Sequence, residues 1–413
     1  MVYGIKRDTN STSTAWERIE DSIGLEANAN LPESSTTVAN TTVKNDFDNI
    51  YPWSEIKSYN YNAETRKVTA WYGDSNFKFD GSNGEVLTYI PGFYYKREVV
   101  NGVEYQYISK YEQEGYSYSE PFSVGRYKIS RASSLSNTSS NNDGKIELMT
   151  TQSGNQDISD FDINTENISS RSGAKPLTYK KIGYFREYAS KLGSDFSILD
   201  YHWYVLQMLY LVEYADYDSQ TKLGIGVTND SSNLGAILGG TDELGMQSGC
   251  LVNDGAHSMI YRGIEDIYGN TLDFLDGINI KDGQAYINYD FKTYWSDTFD
   301  GNYKALGYVN ANGGGYYITK LGYDSNNPLI GLPTEIDTTN TDRNNPTGIK
   351  DGYYSGGTIL VVGGAYGDSA DAGLWLSCAG DGSHYYYDFV GSRLIRHQTS
   401  GGRGVTNPQE GSS

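Results

Sequence analysis

The sequence predicts an α+β chain of short strands joined by long loops, with a short module at its N-terminus. Three observations carry that prediction. Glycine numbers 48 and tyrosine 38 against 9 prolines, so the chain has aromatic surface enough to fold and many turns to interrupt it. One helical region spans 183–216, split in two at Leu192-Gly193-Ser194. Beyond Ala215 short strand-like runs follow one another without helices between them, which argues against an alternating parallel α/β sheet.

Residues 1–85 are polar and rich in turn formers, and the stretch from Thr14 to Asp21 predicts one short helix. From Val86 the pattern changes to aromatic and β-branched runs, 86–96 and 105–111, which bracket Asn101-Gly102 as a hairpin turn. Residues 130–172 are Ser/Asn/Asp-rich with few large apolar side chains and read as a surface insertion. In the second helical piece Leu199, Trp203, Leu206, Leu209 or Tyr210, and Glu213 recur at three- and four-residue steps, and Ser197 with Asp200 predicts a capping box. His202 lies on that helix and is expected as a hydrogen-bonded core residue without a catalytic role. Strands are expected at 234–238, 285–290, 315–320 and 358–362, and residues 398–413 read as a flexible tail.

Charge narrows the function classes. With 32 basic and 52 acidic residues the formal net charge is −20, which repels phosphate backbones and anionic lipid, so nucleic-acid binding and membrane insertion are not expected. No run of 18 apolar residues occurs and the first residues lack a signal-peptide pattern, so a soluble chain is expected. Cys250 and Cys378 leave room for a single bridge, but not for a disulfide framework or a zinc ribbon. The common hydrolase, nucleotide-binding and metalloprotease motifs are missing, and four histidines leave little general-base chemistry. No catalytic residue, metal ligand or cofactor is therefore assigned, although Asp273, Asp276, Asp290 and Asp300 supply oxygen ligands suited to a structural calcium ion.

Two segments carry a family resemblance. Gly263-Ile264-Glu265-Asp266-Ile267-Tyr268-Gly269-Asn270-Thr271-Leu272-Asp273-Phe274 resembles the G-x-x-D-x-x-G-N-x-x-E-W signature of the formylglycine-generating-enzyme-like branch of the C-type lectin fold. Leu360 to Tyr366, then Ala372-Gly373-Leu374-Trp375 and Val390-Gly391-Ser392-Arg393-Leu394, resemble its closing R-G-G-S-W and G-F-R-L pattern. The resemblance covers about 86–397 and implies a C-type lectin-like domain there. Enzymatic members hold copper on two thiols close together near the C-terminus, whereas here Cys378 stands alone, so oxidase activity is not expected. The non-catalytic members include the variable proteins of diversity-generating retroelements and phage receptor-binding proteins, in which the segment between the closing motifs binds ligand. Residues 1–85 look like the leading part of phage tail proteins, which implies an attachment or connector role.

The same segment suggests binding on physical grounds. Tyr366, Asp368, Asp371, Trp375, Ser377, Asp381, His384, Tyr385, Tyr386, Tyr387 and Asp388 alternate with Gly and Ala and show no aliphatic periodicity. Tyrosine and tryptophan offer large stiff contact area at small entropic cost, while Asp and Ser add adaptable polar contacts. At least one of the three consecutive tyrosines is expected to face the core, because successive strand residues alternate. The reading is a phage tail or virion receptor-binding protein whose partners are a bacterial surface glycan or protein and other tail proteins. A homo-oligomer, such as a trimer, is expected by analogy. The alternatives are a formylglycine-generating-type metal oxidase and a purely structural virion protein.

Overall fold

A computed structural model describes residues 1–32, 42–132, 166–230 and 235–398, apart from 316, 341, 343–346 and 385. Sheets dominate and helices are few. The first sheet is wholly antiparallel, in the order Glu17–Glu20, Val2–Asp8, Val103–Ser109, Phe93–Val100, Ser117–Ser119. The second runs Phe196–Ile198, Arg393–His397, Phe122–Arg131, Glu85–Ile90, Lys57–Asn62, Lys67–Trp71, with Ile168–Ser170 also on Phe122–Arg131. The third centres on Leu272–Lys281 between Gln284–Ile287 and Ile359–Val362, and continues through Ser377–Cys378 to Tyr353–Tyr354.

The hairpin at Asn101-Gly102 forms as expected, both residues having positive φ (51° and 80°) as a tight antiparallel turn requires. The helical region also divides as expected, into α1 (Ile182–Leu192) and α2 (His202–Tyr214), but the chain between them forms the strand Phe196–Ile198. Every residue of α2 is buried, so it is a core helix and not a surface one. The expected capping box does not form. Tyr201 is the N-cap without a side-chain bond, and Ser197 instead bonds the Ile198 carbonyl and the His397 ring.

Residues 1–85, expected as a separate module, supply strands to the first and second sheets and polar partners to α2. Val2–Asp8 lies beside Val103–Ser109, so the expected boundary at residue 85 cuts through paired strands. Arg18 donates to the carbonyls of Val212 and Glu213 at the C-terminal end of α2, where helix carbonyls lack partners of their own. Trp53 Nε1 donates to Leu209 O at 3.2 Å, and Asn45 Nδ2 to Glu213 at 2.7 Å. Glu213 also takes both arms of Arg262, at 2.7 and 2.8 Å, and the Tyr261 hydroxyl. The segment around Thr14 is therefore not a helix. Glu17–Glu20 pairs with Val2–Asp8, since sheet pairing and the Arg18 contact outweigh a weak local preference.

Other expectations fall differently. Residues 235–238 form no strand, and 231–234 lie outside the described residues. The expected runs at 285–290 and 358–362 appear as Gln284–Ile287 and Ile359–Val362, and that at 315–320 as Gly314–Gly315 and Tyr317–Leu321. Most of the insertion at 130–172 and nearly all of the tail at 398–413 lie outside the described residues, although the insertion's ends pair with one another.

The family-like motifs meet at Arg393, which is 1% exposed. Its Nη1 donates to the carbonyls of Gly125 and Arg126 at 2.9 and 3.0 Å, and Nη2 to those of Glu265 and Asp266 at 2.7 and 2.8 Å. Asp273 lies 3.6 Å from its Nε and accepts from Lys128 Nζ at 2.9 Å. The turn that presents the two motif carbonyls is left-handed at Gly263, Asp266, Gly269 and Asn270. At Gly269 a Cβ would stand 2.9 Å from Val227 O, so glycine is required there by both backbone conformation and space. Asn270 Nδ2 closes the turn on Asp266 at 2.8 Å.

Two outcomes follow from this packing. Arg393→Met leaves four carbonyls and a buried carboxylate short of a donor and is expected to lower the unfolding free energy by about 3–5 kcal/mol in a urea titration, with Arg393→Lys recovering only part of it. Glu85 is buried and accepts Ser170 N–H at 2.7 Å; burial pushes its carboxyl up to about 7. The folded chain thus keeps a proton that the unfolded chain releases, so this group's contribution is full below about pH 4.5 and is lost as pH rises through about 7. Glu85→Gln is expected to flatten that decline, roughly 1–3 kcal/mol, in stability measured across pH 4.5–8.

Candidate functional site

The segment singled out for binding divides into buried supports and an exposed end. Gly363 and Gly364 leave the Ile359–Val362 strand with φ of 90° and 88°, and a Cβ on Gly364 would stand 2.6 Å from that of Ala372. That close approach folds the chain back so that 372–377 run inside the molecule. Trp375, only 4% exposed, packs edge-on against Tyr217 and Tyr210 at 4.7 and 5.8 Å, and its backbone N–H donates to Asp351 at 2.6 Å. Ser377 is buried in a strand between Val362 and Tyr353. Both were expected at the ligand surface, and neither reaches it, because the sheet and α2 enclose them.

The half-buried aspartates hold the loop in shape. Asp368 accepts the Ala365 N–H at 2.7 Å, and burial raises its carboxyl above the usual range. Asp371 accepts Gly352 N–H through its backbone carbonyl at 2.9 Å. Asp381 accepts the Tyr387 hydroxyl at 3.2 Å, while the Tyr387 ring stacks on Phe389 at 4.9 Å. Tyr387 is half-buried against the core, but residues 386–387 form no strand, so strand alternation is not what turns it inward. Tyr366 is half-buried, and its phenol is raised by burial and by Asp388 beside it. His384, Tyr386 and Asp388 are exposed, Tyr386 by 50%. Tyr385 lies outside the described residues.

A further loop and a short strand join this exposed end. Asp297 accepts hydroxyl hydrogen bonds from Thr358 and Ser383, and the Thr358 N–H reaches Asp381 O at 2.8 Å. On the Asp297 loop, Trp295 has its backbone held by Tyr303 and Asn279 while its side chain is 70% exposed. Tyr354, 42% exposed, accepts Ala379 N–H through its carbonyl. Trp295, Asp297 and Tyr354 were not singled out from sequence. The available signal was a tryptophan in an Asp-rich, aperiodic stretch, which resembles the composition that drew attention to 366–388.

The metal and thiol chemistry also sorts itself by burial. Asp273 is taken by Lys128, and Asp276 by Arg186 at 2.5 and 2.8 Å, so neither is available to calcium. Cys250 and Cys378 are free, and burial pushes their thiols up to about 12 and about 11. They sit on strands of different sheets and do not fit the paired, deprotonated thiols that a copper centre needs. Among the described residues, one group of three metal-ligating side chains converges: Asp200, His202 and His397, with donor atoms all within 4.8 Å. Burial lowers His397 to about 4; burial opposes the charge of Asp200, but His202 and His397 hold its carboxyl below the usual range.

No protein family and no curated protein matches the sequence. The division between support and surface makes its own prediction. Trp375→Ala removes a buried ring and is expected to cost about 3–5 kcal/mol of stability, whereas Tyr386→Ala is expected to stay within about 0.5 kcal/mol, both read from denaturant unfolding.

Proposed function

We propose that this chain is a non-enzymatic receptor-binding protein of a phage tail, carried on a C-type lectin fold of the formylglycine-generating-enzyme-like branch. It adheres to a bacterial surface glycan or protein and joins other tail proteins within the virion, as a homo-oligomer such as a trimer. The observation that carries the reading is the set of exposed large rings, Trp295 and Tyr386 on loops and Tyr354 on a short strand, whose backbones are linked through Asp297, Ala379 and Asp381. Exposed tyrosine and tryptophan rings are the usual anchors of binding surfaces. Exposed His384 and Asp388 add imidazole and carboxylate groups suited to the hydroxyls of a sugar or the polar rim of an epitope.

The lectin-type assignment rests on the same motif residues that the resemblance named. Gly263, Asp266, Gly269 and Asn270 make the left-handed turn, and Arg393 of the closing motif seizes it. Repetition of a weak site on one particle multiplies avidity without new contacts, which is what attachment to a cell surface requires. In this reading a retroelement that rewrites 366–388 alters mainly His384, Tyr386 and Asp388 at the surface, while Trp375 and Ser377 hold the frame.

The test is adsorption of the labelled full-length chain to a panel of bacterial cells. Trp295→Ala, Tyr354→Ala and Tyr386→Ala are each expected to weaken binding by roughly 30-fold, about 2 kcal/mol, with thermal unfolding unchanged. Wild-type adsorption by the triple variant refutes the assignment.

A further inference from the structure

The start of α2 and the end of the last strand bring three ligand-type side chains together away from the exposed rings. Asp200, His202 and His397 are all buried. His202 Nδ1 lies 2.6 Å from Asp200 Oδ1, and His397 Nε2 lies 3.5 Å from Asp200 Oδ2. Two hydroxyls border them: Ser197 Oγ at 2.8 Å from His397 Nε2, and Tyr294 Oη at 3.1 Å from Asp200 Oδ2. Aromatic rings fix both imidazoles. Phe291 stacks on His397 at 3.6 Å with planes 4° apart, and Phe122 and Tyr201 lie 4.1 and 4.2 Å from His202.

We propose that Asp200, His202 and His397 form a transition-metal site of the zinc class that staples the last strand to the first turn of α2. Tetrahedral zinc with bonds of about 2.1 Å sets its ligand atoms about 3.4 Å apart, and the His397–Asp200 pair already stands at 3.5 Å. The His202–Asp200 pair, now hydrogen-bonded at 2.6 Å through Oδ1, must open to admit the ion, and the three donor atoms already lie within 4.8 Å of one another. Ser197 Oγ or a water completes the fourth position. Two imidazoles and one carboxylate select zinc, cobalt, nickel or copper over calcium and magnesium, which want oxygen alone. The competing account is a closed hydrogen-bond network that needs no ion, with Asp200 satisfied by His202 and Tyr294.

The two accounts separate on the full-length chain after treatment with a chelator. Cobalt(II) is expected to bind one per chain and give the visible absorption of a tetrahedral nitrogen/oxygen site. Zinc is expected to displace it and to raise the unfolding temperature in a concentration-dependent way, with calcium doing neither. His202→Gln and His397→Gln are each expected to abolish the colour and weaken zinc binding by roughly 100-fold or more. Absence of stoichiometric cobalt or zinc binding by the wild-type chain overturns the site, whether or not the variants fold. Equal binding by the variants overturns it too. Neither result touches cell adsorption through Trp295, Tyr354 and Tyr386.

Discussion

A guanidinium buried in the interior must find acceptors for its N–H groups, and Arg393 finds them in four backbone carbonyls drawn from two separate segments. Removing that charge from water is costly, and the cost is met only while the Phe122–Arg131 strand and the left-handed turn at 263–270 are held at the right separation. The same condition positions Asp273 between Lys128 and Arg393. Leu272–Lys281 begins just after this turn and runs on as the central strand of the third sheet, so that sheet's placement follows from the same contact. The loops that carry the exposed rings hang from this sheet.

Tyrosine plays opposite parts in the molecule. Tyr210, Tyr214, Tyr217, Tyr261 and Tyr268 are buried near α2, and the first four meet one another and Trp375 edge to face or, for Tyr210 and Tyr214, stacked. Some of their hydroxyls have polar partners inside, as Tyr261 does on Glu213 and Tyr268 on the Ser219 carbonyl. Tyr354 and Tyr386 are chemically the same residue turned outward. A ring's role is thus decided by the backbone that carries it, and counting tyrosines cannot separate scaffold from surface.

The contrast between Trp375 and Trp295 shows where sequence reading runs out. Both sit in Gly- or Asp-rich stretches without periodicity, so composition treats them alike. Trp375 is drawn inward because Gly364 lets the chain pass against Ala372, a contact between residues eight apart that no periodicity records. Trp295 stays out because Tyr303 and Asn279 hold its backbone with the side chain facing solvent. The stretch around Thr14 failed for a related reason: its helical pattern was outweighed by pairing with Val2–Asp8 and by the terminus of α2, both distant in sequence. His202 was rightly expected as a hydrogen-bonded core residue, but its neighbours Asp200 and His397 come from opposite sides of the third sheet's whole sequence and could not be paired by inspection.

Local pattern alone determined the sheet-rich character, the Asn101-Gly102 hairpin and the two helical pieces, because each depends on a few consecutive residues and their backbone preferences. Tertiary structure alone decided which aromatic residues are scaffold and which are surface, that 1–85 shares sheets with the rest, and where the buried charges find partners. Those outcomes depend on solvent exclusion and on contacts between segments far apart in the chain, and neither quantity exists until the segments have met.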